Sequence, residues 1–166
     1  GADHMGEKMW DVLEQSNSLS QVESIIRDFR KARPEASLLI NLGRWEPGCY
    51  KNSQAVMDIS TALTAAGRDF AILILADPAN AEIPDHYKRN IIPIGFPDDA
   101  ALQMAMASAD LGLSVSLWEG FNLPLAEMQW LGKPVLCFDV GAHPEVVAHP
   151  WFLCRDQNQM IEKASR

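Results

Sequence analysis

Two glutamates, Glu119 and Glu127, stand eight positions apart around the turn Gly120-Phe121-Asn122-Leu123-Pro124. Gly120 allows a backbone to come close to a ligand. Pro124 suits the first position of a helix, where its missing N–H costs nothing. The amides around it then face outward from the helix start, where phosphate or sugar oxygens are readily met. Glu127 is predicted in the first helical turn. A carboxylate there repels phosphate, so its available chemistry is to accept hydrogen bonds from paired hydroxyls such as a ribose diol.

The elements that must position these residues follow from periodicity. Val22, Ile25, Ile26 and Phe29 recur at helical spacing, predicting a helix over about 20–33 that Pro34 stops. Met9, Trp10, Val12 and Leu13 suggest a shorter helix before it. Buried strands are predicted over 37–42, 70–76, 91–95, 111–116, 135–138 and 151–154, with helices over 53–66, 98–108, 124–131, 144–148 and 157–164. Residues 77–90 read as a loop with room for a short helix. Asn52 or Ser53 is a fitting N-cap, Gly67 a C-terminal stop, and Asp98-Asp99 an acidic helix start. Alternating strands and helices imply an α/β Rossmann-like domain, its mostly parallel sheet covered by helices on both faces. The strands are nearly all apolar, as double coverage requires. Ligands of such sheets bind beyond the carboxyl ends of the strands, where the loops after Leu42, Ala76, Gly95, Ser116 and Phe138 lie.

The chain has 166 residues, enough for one domain with its own core, and 48% of them are hydrophobic. A net charge of −8 argues against a nucleic-acid surface. No apolar run is long enough to span a bilayer, and no signal-peptide pattern is visible. The three cysteines, Cys49, Cys137 and Cys154, are odd in number and lack metal-ligand spacing. Cys137 reads as a reduced core residue, and the set suits a cytoplasmic location. Gly1 to Met5 reads as the remainder of an expression tag, 6–36 as a helical segment or linker, and 37–166 as the domain.

The ordered run Glu119-Gly120-Phe121-Asn122-Leu123-Pro124, Glu127 and Gly132-Lys133-Pro134-Val135 resembles the signature of family-4 retaining glycosyltransferases, glycosyl transferases of group 1. The similarity extends from about Leu38 to Val147. It implies one half of the GT-B architecture, in which two Rossmann-like domains face a cleft. The signature belongs to the C-terminal half, which binds the nucleotide sugar.

Cleaving the sugar–oxygen bond of such a donor concentrates negative charge on its diphosphate, so cations and donors are needed there. No Lys or Arg lies between Arg89 and Lys133, so they must come from another loop. The loop after the first strand supplies Arg44 and Lys51, and a charge-assisted hydrogen bond is worth roughly 1.5–3 kcal/mol. Gly43-Arg44 and Lys51-Asn52 match family parts that contact the diphosphate, across a loop about two residues longer than the family pattern. The resemblance further implies that Glu127 grips the ribose and that Glu119 lies near the donor sugar. It has the amides of Gly120, Phe121, Asn122 and Leu123 meet sugar hydroxyls and phosphate, and the base rest near Gly95 and Phe96. The family has Gly where Asn122 stands; Phe96 serves equally as a core residue.

No metal or other cofactor is implied. Trp118 and Trp130 read as core residues, and His143 as a loop or helix-start residue; His86 and His149 lack partner spacing. The resemblance implies sugar transfer to an acceptor hydroxyl with retained configuration. It also implies an acceptor domain or partner subunit, without which this half binds donor and transfers little. A non-catalytic nucleotide- or protein-binding module of the same fold is the alternative. A dinucleotide oxidoreductase is disfavoured, because Gly43-Arg44-Trp45-Glu46 lacks the Gly-x-Gly-x-x-Gly turn.

Overall fold

Every strand pairing is parallel, and the six strands lie in the order β3-β2-β1-β4-β5-β6. They are β1 (Ser37–Arg44), β2 (Phe70–Leu75), β3 (Ile91–Pro93), β4 (Leu111–Ser114), β5 (Val135–Phe138) and β6 (Leu153–Cys154). The helices are α1 (18–32), α2 (Ser53–Ala65), α3 (Asp99–Ser108), α4 (Leu123–Trp130) and α5 (Gln157–Ala164). The computed structural model describes residues 18–45, 53–79, 81–115, 123–138, 147 and 150–165.

Alternation along the strands divides the core between the two faces. Leu38, Ile40, Leu42, Leu73, Val135 and Cys137 pack under Val22, Ile26 and Phe29 of α1, Ala101, Ala105 and Met106 of α3, and Met128 of α4. Leu39, Ile72, Ile74, Leu113, Leu136 and Phe138 pack under Ala55, Val56, Ile59 and Leu63 of α2 and Met160 of α5. This two-sided burial is why the strands carry continuous apolar runs.

Helix boundaries follow local chemistry. Asp98 caps α3 by accepting from the Ala101 amide at 2.8 Å, and Asp156 caps α5 by accepting from Gln159 at 2.9 Å. At the end of α2 the Arg68 amide donates back to Leu63, and Gly67 has φ +75°.

Several boundaries differ from the sequence expectation. β1 runs to Arg44, two residues further, because it keeps pairing with Leu75 after a break in register. The expected strand at 151–154 is a 3-10 turn over Pro150–Phe152 followed by the two residues of β6; Pro150 fixes a φ that suits a turn. Another 3-10 turn, Asp85–Tyr87, fills the loop before β3. Trp130, expected in the core, is 89% exposed. Met128 takes the buried stripe of α4, and a residue two positions on lies roughly 200° around the helix. The short helices expected near Met9–Leu13 and at 144–148 fall outside the described residues, residue 147 excepted.

Candidate nucleotide-sugar site

A parallel sheet brings the carboxyl ends of all its strands to one edge. Here the chain runs outward through β1, β2 and β3, then returns to the middle and runs the other way through β4, β5 and β6. The order therefore reverses between β1 and β4. In open α/β sheets such a reversal point is where a crevice forms and ligands usually bind. Arg44 is the last residue of β1, and Leu123 opens α4, the helix after β4.

The seat of α4 is fixed by a missing side chain. A Cβ on Gly112 would stand 3.2 Å from Met128 Cγ, 3.2 Å from Val135 Cγ1 and 3.3 Å from Leu42 Cδ1. Met128, fully buried, shares a core cluster with Leu42 of β1 and Val135 of β5 and packs over Gly112, so α4 lies close against the strands. Its far end closes on Gly132 at φ +73°, a conformation that side chains resist, with the Lys133 amide donating to Met128 at 3.2 Å. α4 starts at Leu123, so Pro124 is its second residue and Glu127 its fifth. Glu127 is therefore not in the first turn, as expected from sequence, but begins the second, and its side chain is exposed. The helix dipole fades within the first turn, so helix stabilisation is a weaker reason for a carboxylate at this position.

At the other half of the edge, the amides of Ile94 and Gly95 extend the β3 ladder by donating to Ile74 at 3.0 Å and Ala76 at 2.8 Å. Gly95 has φ +81°, and Phe96 beyond it is 64% exposed, which removes the reading of Phe96 as core. Lys51, Glu119, Gly120, Phe121 and Asn122 lie outside the described residues, as do Cys49, Trp118, His143 and His149. For Arg44 and Leu123 the backbone alone is described. His86 sits in the 3-10 turn, its ring 4.2 Å from that of Tyr87. Cys137 and Cys154 are buried thiols, and burial pushes the Cys154 pKa upward.

Sequence reasoning missed two residues on β1 and just after it. Asn41 is 1% exposed and neither amide atom has a hydrogen-bond partner; Trp45 is 7% exposed and its indole N–H also lacks one. A buried polar group without a partner costs roughly 1–3 kcal/mol. The available signal was an asparagine inside an otherwise apolar strand. A separate groove of about 870 Å³, lined by residues including Pro78, Ile83, Lys88, Ile91 and Pro93, follows β3 at the sheet edge. It is two strands from the crevice, and Pro93 withholds a donor from that edge, a common protection against further strand pairing.

The family model of glycosyl transferases group 1 matches residues 36–166. The chain belongs to this family. Among solved structures, the C-terminal domain of a group 1 glycosyl transferase (LpcC) from Francisella tularensis superposes with a TM-score of 0.58 at 21% identity, covering 77% of this chain and 73% of that one. WaaG, a glycosyltransferase involved in lipopolysaccharide biosynthesis, gives a TM-score of 0.64 at 21% identity, over 87% of this chain and 41% of that one. A curated relative, trehalose synthase from Pyrococcus horikoshii, is 37% identical over 76 residues, covering 45% of this chain and 18% of that protein. A protein of the Klebsiella pneumoniae cps region is 31% identical over 75 residues, with 21% of its length covered. This group 1 chain thus spans about a fifth of these curated relatives and has the Rossmann-like fold of a GT-B C-terminal domain. Among its described residues no helix is long and apolar enough to cross a membrane.

Proposed function

We propose that this group 1 domain binds the nucleotide-sugar donor of a retaining glycosyltransferase. What supports the reading is that β1, which ends at Arg44, and β4, which α4 follows, are the two strands that flank the reversal point of the sheet. Arg44 and Lys51 neutralise the diphosphate as the sugar–oxygen bond breaks. The amides of Gly120, Phe121, Asn122 and Leu123 donate to phosphate and sugar oxygens. Glu127 lies four residues beyond Leu123, about 6 Å along the helix axis. That offset suits a ribose held beside, rather than on, the anion site. Glu119 faces the donor sugar, and the base rests against Gly95 and Phe96, with no metal needed.

The acceptor hydroxyl comes from a second domain or a partner subunit. It attacks the face the diphosphate leaves, so the anomeric configuration is retained. The setting is cytoplasmic and serves bacterial surface polysaccharide assembly, which the cps-region relative and the likeness to WaaG support.

Calorimetric titration with UDP-glucose, GDP-mannose, TDP-glucose and ADP-glucose tests the reading. One nucleotide class should bind, and Glu127→Ala and Arg44→Ala should each weaken it by about tenfold or more, the equivalent of one charge-assisted hydrogen bond. Equal binding by wild type and Glu127→Ala would remove the ribose assignment. Rapid transfer catalysed by these residues alone would remove the need for an acceptor half.

A further inference from the structure

β1 and β2 fall out of step beside the crevice. Ile40 is opposite Leu73 and Arg44 opposite Leu75, so four steps along β1 match two along β2. Such bulges re-aim side chains next to functional sites. Within the bulge Asn41 stays opposite Leu113 of β4, which places it on the α2 face of the sheet. Gly43, two residues nearer the crevice, has no side chain and is partly exposed. Asn41 is thus buried with Oδ1 and Nδ2 both unpartnered, and Trp45 Nε1 is a further unpartnered donor just past the same strand end.

The chemistry of these atoms selects an occupant. Oδ1 requires a donor; Nδ2 and the indole N–H require acceptors. A phosphate oxygen only accepts and would leave Oδ1 unmet. A hydroxyl both donates and accepts, so it can meet Oδ1 and Nδ2 together. We infer that Asn41 forms a polar floor to the donor site that hydrogen-bonds a hydroxyl of the transferred sugar. The inference rests on the donor-binding reading and adds to it a residue that discriminates among sugars. The sugar loses its partner if Asn41 is replaced; the nucleoside diphosphate does not.

The test compares each nucleotide sugar of the titration panel with its own nucleoside diphosphate, on wild type and Asn41→Leu, with thermal unfolding measured in parallel. Asn41→Leu should weaken the nucleotide sugar about tenfold, the scale of one lost hydrogen bond. Diphosphate affinity and the unliganded Tm should be unchanged, or Tm raised. Equal loss for both ligands, or no loss, overturns the inference and leaves Asn41 with an ordered water only. If the variant does not fold, the side-chain amide signals of Asn41 in the unaltered protein decide. They should move on saturation with the nucleotide sugar and stay in place with the diphosphate; unmoved signals with both overturn the inference. Failure of wild type to bind any panel member removes the donor-binding reading itself, whereas normal binding insensitive to Asn41→Leu removes this inference alone.

Discussion

Cys154 shows how burial sets the chemistry of a single residue. The loss of solvent raises its pKa above the ordinary thiol value of 9.0, while the nearby Lys163 ammonium works against that shift. Lys163 is itself held by the carbonyls of Trp151 at 2.6 Å and Leu153 at 2.9 Å. A thiol whose folded pKa is raised keeps its proton in the native state after the unfolded chain has lost it. Its contribution to stability is therefore complete below the ordinary thiol pKa and is lost as pH rises from there through the raised value. Thermal unfolding between about pH 8 and 10 should show a steeper fall in Tm for wild type than for Cys154→Ala. Parallel pH profiles would contradict the assignment. By contrast, no feature of the residue type separates Cys154 from Cys49 in the sequence. Glu127 behaves differently again: its identity and spacing were informative, but its turn of the helix was not. The packing of Met128 against Gly112, which seats α4, is announced by no local pattern.

At the scale of elements, α4 is held by that contact. Gly112 leaves no room for a branched side chain, since a Cβ there would already meet three neighbours at 3.2–3.3 Å. Gly112→Val should lower stability by about 1–3 kcal/mol, the usual cost of overpacking a filled core. It should also weaken nucleotide-sugar binding by shifting the helix that carries Leu123 and Glu127. Denaturant unfolding and calorimetry together check this; a variant with wild-type stability would show that α4 is not tightly seated. Strand and helix positions were largely legible in the sequence. Val135–Phe138 and Gln157–Ala164 match the expectation residue for residue, because apolar runs, Asp156 and the preceding Pro134 act locally. The region before β6 was not, because a short apolar stretch fits a turn or a strand equally and the pairing partner decides.

Across the whole molecule, the crevice and the main polar fastening occupy opposite poles. At the amino ends of the strands, Arg30 donates to the carbonyls of Ala36 and Ser108 at 3.0 Å each, and reaches Asp110, which in turn accepts from the Leu38 amide at 2.8 Å. Arg33 pairs with Asp69 and donates to the carbonyls of Phe70 at 2.9 Å and Arg89 at 3.1 Å. α1 and the residue after it thereby tie together the starts of β1, β2, β3 and β4. Arg33→Met should cost about 2 kcal/mol by leaving carbonyls without a donor, and should leave the nucleotide-sugar Kd unchanged because the crevice lies at the far edge. Unfolding and titration of the same preparation separate the two effects; a large change in Kd would mean that α1 is coupled to the site.

The amino-acid sequence alone determined the alternation of strands and helices, their caps and stops, and the signature that marks the family, since each rests on residues a few positions apart. Only the tertiary structure decided that the order reverses between β1 and β4, that β1 bulges against β2, that Asn41 is buried without a partner and that Trp130 faces outward. Those outcomes depend on which distant segments become neighbours and on the space they leave one another, and neither is written in any local run of residues.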